Sequence, residues 1–278
     1  MTDFGHRPRE LQLRIAPWPF FYRKTEIEKV SAYPIEISDN LMNQINEDAR
    51  SEEQTNPPIF NLPNVILLFL LIMVAVQVAR DMLLNDQQNI ALIVNGAFIP
   101  QRYLFAASDQ NLAYFTSPVT YSFIHGGYGH LAVNSLWLAA FGAVVARRLG
   151  TARFIIFWVL SACASVAFFA FLNWGGSVPV VGASGVVSAL MGAAARFAFP
   201  LGGRFNREKA HFLPRQSFAD VLQNRTVLVY LAFWFGISLL PAIGFGASGN
   251  ASTIAWEAHI GGFLFGFLFF NLFDHKDW

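Results

Sequence analysis

Charged residues are scarce in this chain of 278 residues, and cysteine is nearly missing. Charged side chains make up 13% of the sequence, against roughly 25% in a typical soluble domain. The formal net charge is only +1, which gives no electrostatic basis for binding nucleic acid. The single cysteine, Cys163, lies within an apolar run. It therefore cannot form an intramolecular disulfide, and we expect it to be a small buried hydrophobe.

Apolar residues are correspondingly abundant, and they are grouped in long runs. Hydrophobic residues make up 54% of the chain, and they fall into six segments near the roughly 20 residues that a helix needs to cross a bilayer. The composition therefore predicts an all-α, multi-pass membrane protein whose immediate environment is the lipid bilayer. The segments lie near 63–84, 118–146, 154–173, 180–199, 226–246 and 254–273.

Two of these segments depart from a simple span. The second contains Gly126, Gly127 and Gly129, so we expect its outer end to be a loop or a separate short piece. The fourth is short, and we expect it to begin below the membrane surface.

Basic residues predict the orientation, because lysine and arginine favour the cytoplasmic side of membrane proteins. They are concentrated in the first tail and after the second and fourth segments, whereas the opposite side holds Arg102 and, near the end of the first segment, Arg80. Both termini are therefore expected to be cytoplasmic. The expected outer loops are 85–117, 174–179 and 247–253.

The first tail carries seven basic and ten acidic residues, a net charge of −3. It has no apolar core beside a small-residue cleavage site, so no signal peptide is expected. We expect a partly ordered tail; the alternative is that its aromatic residues at 18–22 rest on the membrane interface. The predicted organisation is a cytoplasmic tail at 1–61, a six-span domain at 62–274 and a cytoplasmic end at 275–278.

The first candidate motif for chemistry is Gly182-Ala183-Ser184-Gly185, just after Pro179. A serine at a helix N-terminus lies among free backbone N–H groups, which can stabilise an oxyanion. Flanking glycines allow a substrate backbone to come close. Taken alone, the motif is more typical of a small-residue packing site.

The second candidate is His259, about one turn into the last segment. Gly262 and Gly266 follow it at four-residue spacing, a pattern that lets two helix backbones approach closely. The fourth segment has small residues at the same spacing: Gly185, Ala189 and Ala193. Contact between these faces would bring His259 within reach of Ser184, as activation of a hydroxyl requires. The alternative is a hydrogen-bonded structural histidine.

The third candidate is a polar set in the outer part of the second segment. His130 and Asn134 are four residues apart, so they share one helix face, and both can donate hydrogen bonds to an oxyanion. His125 precedes them by more than a turn. Three histidines could also bind a metal, but no Asp, Glu or Cys lies at the same depth. We therefore predict no metal and no cofactor.

A third member of a catalytic triad is not visible in the sequence. Glu257 is two residues from His259, and side chains at that spacing diverge on a helix. Asp81 lies beside Arg80 near the outer end of the first segment. We therefore predict a Ser–His dyad, with the imidazole oriented by packing or by an uncharged partner. Ser248, in a second Gly-Ala-Ser-Gly stretch, is followed by a polar loop and is expected to lie on a flexible connector.

In order, spacing and depth, these motifs resemble those of the rhomboid family of intramembrane proteases. Ser184 matches the family's nucleophile at the start of the fourth span, and His259 matches its sixth-span base. His130 and Asn134 match the pair that helps to hold the oxyanion. The resemblance covers roughly 60–273 and implies a bacterial-type bundle of six transmembrane helices with a short central fourth helix.

The resemblance also implies a function. The protein would be a serine endopeptidase that cleaves peptide bonds in or near the transmembrane segments of single-span or polytopic membrane proteins. It would lie in a bacterial inner membrane. Four further residues would lie around the site: His125, Gly182, Gly185 and Ser188.

The sequence departs from the family pattern in two places. A Trp-Arg pair often precedes the second span in this family, but the aligned stretch here, 114–117, reads Tyr-Phe-Thr-Ser. Some members carry an aromatic residue one turn after the nucleophile, where this chain has Ser188. We expect its hydroxyl to bond its own helix backbone; the alternative partner is His259.

Two other functions fit the sequence less well. A catalytically silent rhomboid-like protein that binds membrane helices would be expected to lack Ser184 or His259, and both are present. A transporter with histidines on a proton path would be expected to have inverted repeats with broken helices, which the sequence does not show.

Overall fold

The computed structural model describes residues 61–200, 209–239 and 255–274. The predicted tail up to residue 60, Ser248 and the end at 275–278 lie outside the described residues. Within them the chain is helical, with one isolated β-bridge. The α-helices are α1 (Asn64–Met82), α2 (Asp86–Gly96), α3 (Ala113–Thr120), α4 (Tyr128–Trp137), α5 (Ala143–Leu149), α6 (Thr151–Leu172), α7 (Ser184–Ala195), α8 (Phe218–Gln223), α9 (Arg225–Leu239) and α10 (Trp256–Phe269).

Three helical stretches are long and apolar enough to cross a membrane. They are α1 with 19 residues, α6 with 22 residues, and a continuous 22-residue helix, Tyr128–Leu149. The last consists of α4, a π-helical stretch at Leu138–Gly142 and α5. These helices coincide with the first three predicted segments. The other three segments contain α7, α9 and α10, which are shorter within the described part of the chain.

The second predicted segment is divided, as its glycines predicted. Residues 118–120 are the end of α3, and the long helix of this segment starts only at Tyr128, after Gly127 with a φ of 156°. That helix also runs past the predicted end at 146, to Leu149, where Gly150 adopts a φ of 76°. The helix of the fourth segment begins only at Ser184, because the residues before it bond to other parts of the fold.

The first outer loop, predicted at 85–117, contains two helices that the sequence analysis did not predict, α2 and the start of α3. Arg102 ties this region together. Its guanidinium donates to the Ser117 hydroxyl at 2.8 Å and to the carbonyls of Ala113 at 3.3 Å and Val94. The stretch 114–117 lacks the Trp-Arg pair, but an arginine from another part of the chain, Arg102, binds its last residue.

Helix α7 lies at the centre of the packing, since every residue from Gly185 to Ala195 is buried. It packs closely against α10. A Cβ atom at Gly266 would overlap the backbone of Ala189, and one at Gly262 would overlap the carbonyl of Gly185. The two small-residue faces therefore do meet, as their spacing predicted.

A buried ion pair joins the ends of two helices away from Ser184. Arg148, near the end of α5, donates to Asp274, just after α10, at 2.8 Å. The guanidinium also donates to the Leu213 carbonyl at 2.5 Å and lies 4.4 Å from the centroid of the Phe197 ring. These contacts fix the far end of the helix that carries His259.

We expect the Asp274→Ala variant to be strongly destabilised. Removing one partner of a buried ion pair costs about 3–5 kcal/mol, because the other charge stays buried after it loses its counter-charge. The melting temperature in detergent should fall clearly, whereas the exposed Asp109→Ala variant should melt like the wild type. Equal melting temperatures for the two variants would show that the ion pair does not stabilise the fold.

Candidate active site

Two elements bring the predicted nucleophile and base together. Ser184 is the first residue of α7, and His259 lies in the first turn of α10. The His259 Nε2 atom is 2.8 Å from the Ser184 Oγ atom, within the hydrogen-bond range of about 2.6–3.2 Å that a base needs to take the proton of a nucleophile. His259 is buried, with 6% of its surface exposed. This contact depends on the close approach of α7 and α10 at their glycines.

The chain before Ser184 is held in place by its own backbone. Val180 forms the isolated bridge with Phe98, with N–H···O distances of 2.8 and 3.1 Å. The N–H of Gly182 donates to the carbonyl of Tyr121 at 2.9 Å. The first outer region and the start of the second segment therefore fix the approach to the serine.

Gly182 has a conformation and a neighbour that both require glycine. Its φ is 117°, in the left-handed region, which residues with a side chain rarely adopt. A Cβ atom there would be 2.6 Å from Cε1 of the His130 ring. The glycine therefore allows the His130 ring to lie directly against the backbone that precedes Ser184.

His130 and Asn134 lie on the same face of α4, as predicted. The Nδ1 atom of His130 accepts from the backbone N–H of Gly126 at 3.4 Å. With Nδ1 as acceptor, the neutral ring carries its proton on Nε2, the atom nearer to Gly182. The side-chain amide of Asn134 donates to the His130 carbonyl at 3.0 Å. One of its two N–H groups is therefore left for another acceptor.

The remaining predicted residues have different positions. His125 is fully buried, and its Nε2 accepts from the N–H of Ala183 at 3.4 Å, so it contacts the chain just before the serine. Gly185 packs against Ser165, which would be 2.8 Å from a Cβ atom there. The Ser188 hydroxyl donates to the Ser184 carbonyl at 2.8 Å. The expected bond to its own helix backbone is therefore confirmed, and the alternative partner, His259, is not used.

A cavity of about 810 Å³ contains Ser184 and His259 in its wall. His130, Asn134, Gly182 and Gly185 also line it, whereas His125 does not. Among the lining residues that the sequence did not identify are Trp137, Trp234, Asn173 and Glu257. Trp137 continues the face of His130 and Asn134 at helical spacing, so that spacing could have identified it. The other three come from elements that only the fold brings to the cavity.

Among the residues that the structure describes, no charged side chain orients the imidazole. The Nδ1 atom of His259 has no hydrogen-bond partner among the described residues, and Glu257 accepts a bond from Asn173 instead. The centroid of the Trp234 ring lies 6.1 Å from that of the imidazole. In the part of the chain that the structure describes, packing and the contact with Ser184 hold the ring.

A metal is not needed to explain the histidines. No group of three or more His, Cys, Asp or Glu side chains in the described ranges is placed to hold a metal ion. The His125 and His130 rings lie 5.2 Å apart, edge to face, and each accepts a backbone hydrogen bond.

Comparison with known families identifies the domain in which this site lies. A sequence model of the Rhomboid domain matches residues 113–274, more than half of the chain. The match includes every predicted site residue. No curated protein matches the chain.

Proposed function

Because the chain belongs to the rhomboid family, a family of intramembrane proteases, we propose that it is a serine endopeptidase that cleaves membrane-protein substrates within the bilayer. The observation that carries the proposal is the 2.8 Å contact between Ser184 Oγ and His259 Nε2, at the N-terminus of a buried helix and in the wall of a large cavity. Cleavage of single-span substrates by the purified protein tests it.

In the proposed mechanism, Nε2 of His259 takes the proton of the Ser184 hydroxyl as its oxygen attacks the scissile carbonyl. The protonated imidazole then gives that proton to the departing amine, which leaves an acyl-enzyme. Water enters the cavity and loses a proton to the same nitrogen as its oxygen attacks the ester. The imidazolium returns that proton to the departing Ser184 oxygen, which regenerates the hydroxyl. The substrate helix must unwind locally first, because a peptide bond within a helix is hydrogen-bonded and shielded from the nucleophile.

The oxyanion would be held by groups on two helices. The backbone N–H of Ser184 is at the start of α7, where N–H groups have no partner within the helix. His130 can donate from Nε2 and Asn134 from its second amide N–H, and both line the cavity with Ser184. Preorganised donors of this kind stabilise the charge that develops in the transition state.

We expect His130→Ala and Asn134→Ala each to lower turnover without abolishing substrate binding. Loss of one oxyanion donor costs about 10²–10³ in rate in soluble proteases. The loss should be smaller here, since the Ser184 N–H is retained and water can replace a side chain. Turnover, substrate binding and melting temperature should be measured on the same variants. Unchanged turnover with reduced stability would show that these side chains only support the fold.

The proposed membrane arrangement has six spans, with α7, α9 and α10 within the last three. Its two termini would be cytoplasmic, with 1–61 as the tail and 275–278 as the opposite end. The lengths and apolar character of the three long helices support a membrane location. A bacterial inner membrane remains the proposed site.

A further inference from the structure

The cavity that contains Ser184 carries one formal charge among its lining residues in the described chain, that of Glu257. The other lining residues are mainly glycines, aromatic and aliphatic side chains, together with two histidines and two asparagines. A carboxylate on an otherwise neutral wall is costly to cover with an apolar ligand. The position of Glu257 therefore bears on which substrates the cavity accepts.

Glu257 is only partly engaged by the protein. It is the second residue of α10 and is half-buried. Its Oε1 accepts from the side-chain amide of Asn173 at 3.2 Å, and that amide also donates to the Phe169 carbonyl. The Oε2 atom has no hydrogen-bond or ion-pair partner among the described residues. One carboxylate oxygen is thus left for a ligand.

A position in the first turn of a helix is favourable for an acid, because it complements the helix dipole. That accounts for an acidic residue at the start of α10, but it does not require the side chain to line the cavity. A substrate that fills the cavity removes water from the carboxylate. The cost is offset by a cation on the substrate and increased by an anion.

We infer that Glu257 selects substrates that carry a lysine or arginine near the scissile bond, in the part of the peptide that enters the cavity. This inference rests on the proposed protease function for the identity of the ligand as a peptide. It adds a preference for charge that the Ser–His pair does not itself impose.

The test is binding of single-span peptides to the Ser184→Ala protein in detergent. The peptides differ in one residue, Lys, Gln or Glu, placed at successive positions along the outer half of the span. At the position that meets Glu257, the Lys peptide should bind roughly tenfold more tightly than the Glu peptide, as expected for a partly screened charge pair. The Glu257→Gln substitution should remove this ratio, and Glu257→Lys should invert it.

The controls separate this inference from other effects. Gln has the shape of Glu and can still accept from Asn173, so the Glu257→Gln protein should melt near the wild-type temperature. Asp109→Asn changes an exposed carboxylate that does not line the cavity, and the Lys-to-Glu ratio should be unchanged. The inference is wrong if no position shows a charge preference, or if the preference survives in Glu257→Gln. If the peptides bind in a charge-dependent way but the wild-type protein cleaves none of them, the result would instead count against the proteolytic function.

Discussion

The Ser184→Ala variant is expected to lose cleavage of every membrane-protein substrate that the wild type cleaves, by at least about 10³-fold. The substitution removes only the oxygen that forms the acyl-enzyme. It should leave the fold nearly unchanged, because α7 is held by its buried small residues and, among the described residues, the hydroxyl hydrogen-bonds His259 alone. Purified wild-type and variant proteins, incubated with the same single-span substrates, provide the measurement.

Ser248→Ala is the matched control, since this serine lies in the second Gly-Ala-Ser-Gly stretch of the same sequence. It should retain full activity. If Ser248→Ala abolishes cleavage and Ser184→Ala does not, the nucleophile has been assigned to the wrong motif.

The Gly266→Ala variant is expected to lose both stability and activity, although Gly266 lies well away from the reacting atoms. A Cβ atom at this position overlaps the backbone of Ala189, which cannot move aside as a flexible side chain would. Helices α7 and α10 must separate, and overpacking of this kind costs about 1–3 kcal/mol. Ser184 is on α7 and His259 is on α10, so separating the two helices moves the nucleophile away from its base. A displacement of about 1 Å can lower turnover about 10²-fold.

Gly236→Ala is the control for this second prediction. Gly236 is also in a helix, α9, but a Cβ atom there would meet nothing within 4 Å. Its melting temperature and turnover should match those of the wild type. Wild-type turnover in Gly266→Ala would show that the spacing of α7 and α10 does not control the Ser–His geometry.

The sequence was most informative where a pattern is local. The glycines after His259 and the small residues after Ser184 follow a four-residue period, and the structure brings those two faces into contact. Serine at a helix start was likewise predicted from the glycines and proline around it. Each of these features depends on residues within a few turns of one helix.

Contacts between distant segments could not be predicted in this way. Arg102 binds Ser117 across the outer region, and Glu257 meets Asn173 from another helix. Neither Arg102 nor Glu257 belongs to a recognisable motif, and each contact forms only when the helices pack together. The glycines predicted a break before α4, but not its position at Tyr128, because the apolar run from 118 continues through α3 and a 3₁₀ turn before that helix.

In the proposed mechanism, Ser184 is a nucleophile activated by His259. The most direct measurement is reaction of the purified protein with a fluorophosphonate, followed by mass spectrometry of the labelled peptide. We predict one phosphonylated residue, Ser184, with labelling lost in both Ser184→Ala and His259→Ala while each variant stays folded. Labelling at another serine, or undiminished labelling of Ser184 in His259→Ala, would contradict the account.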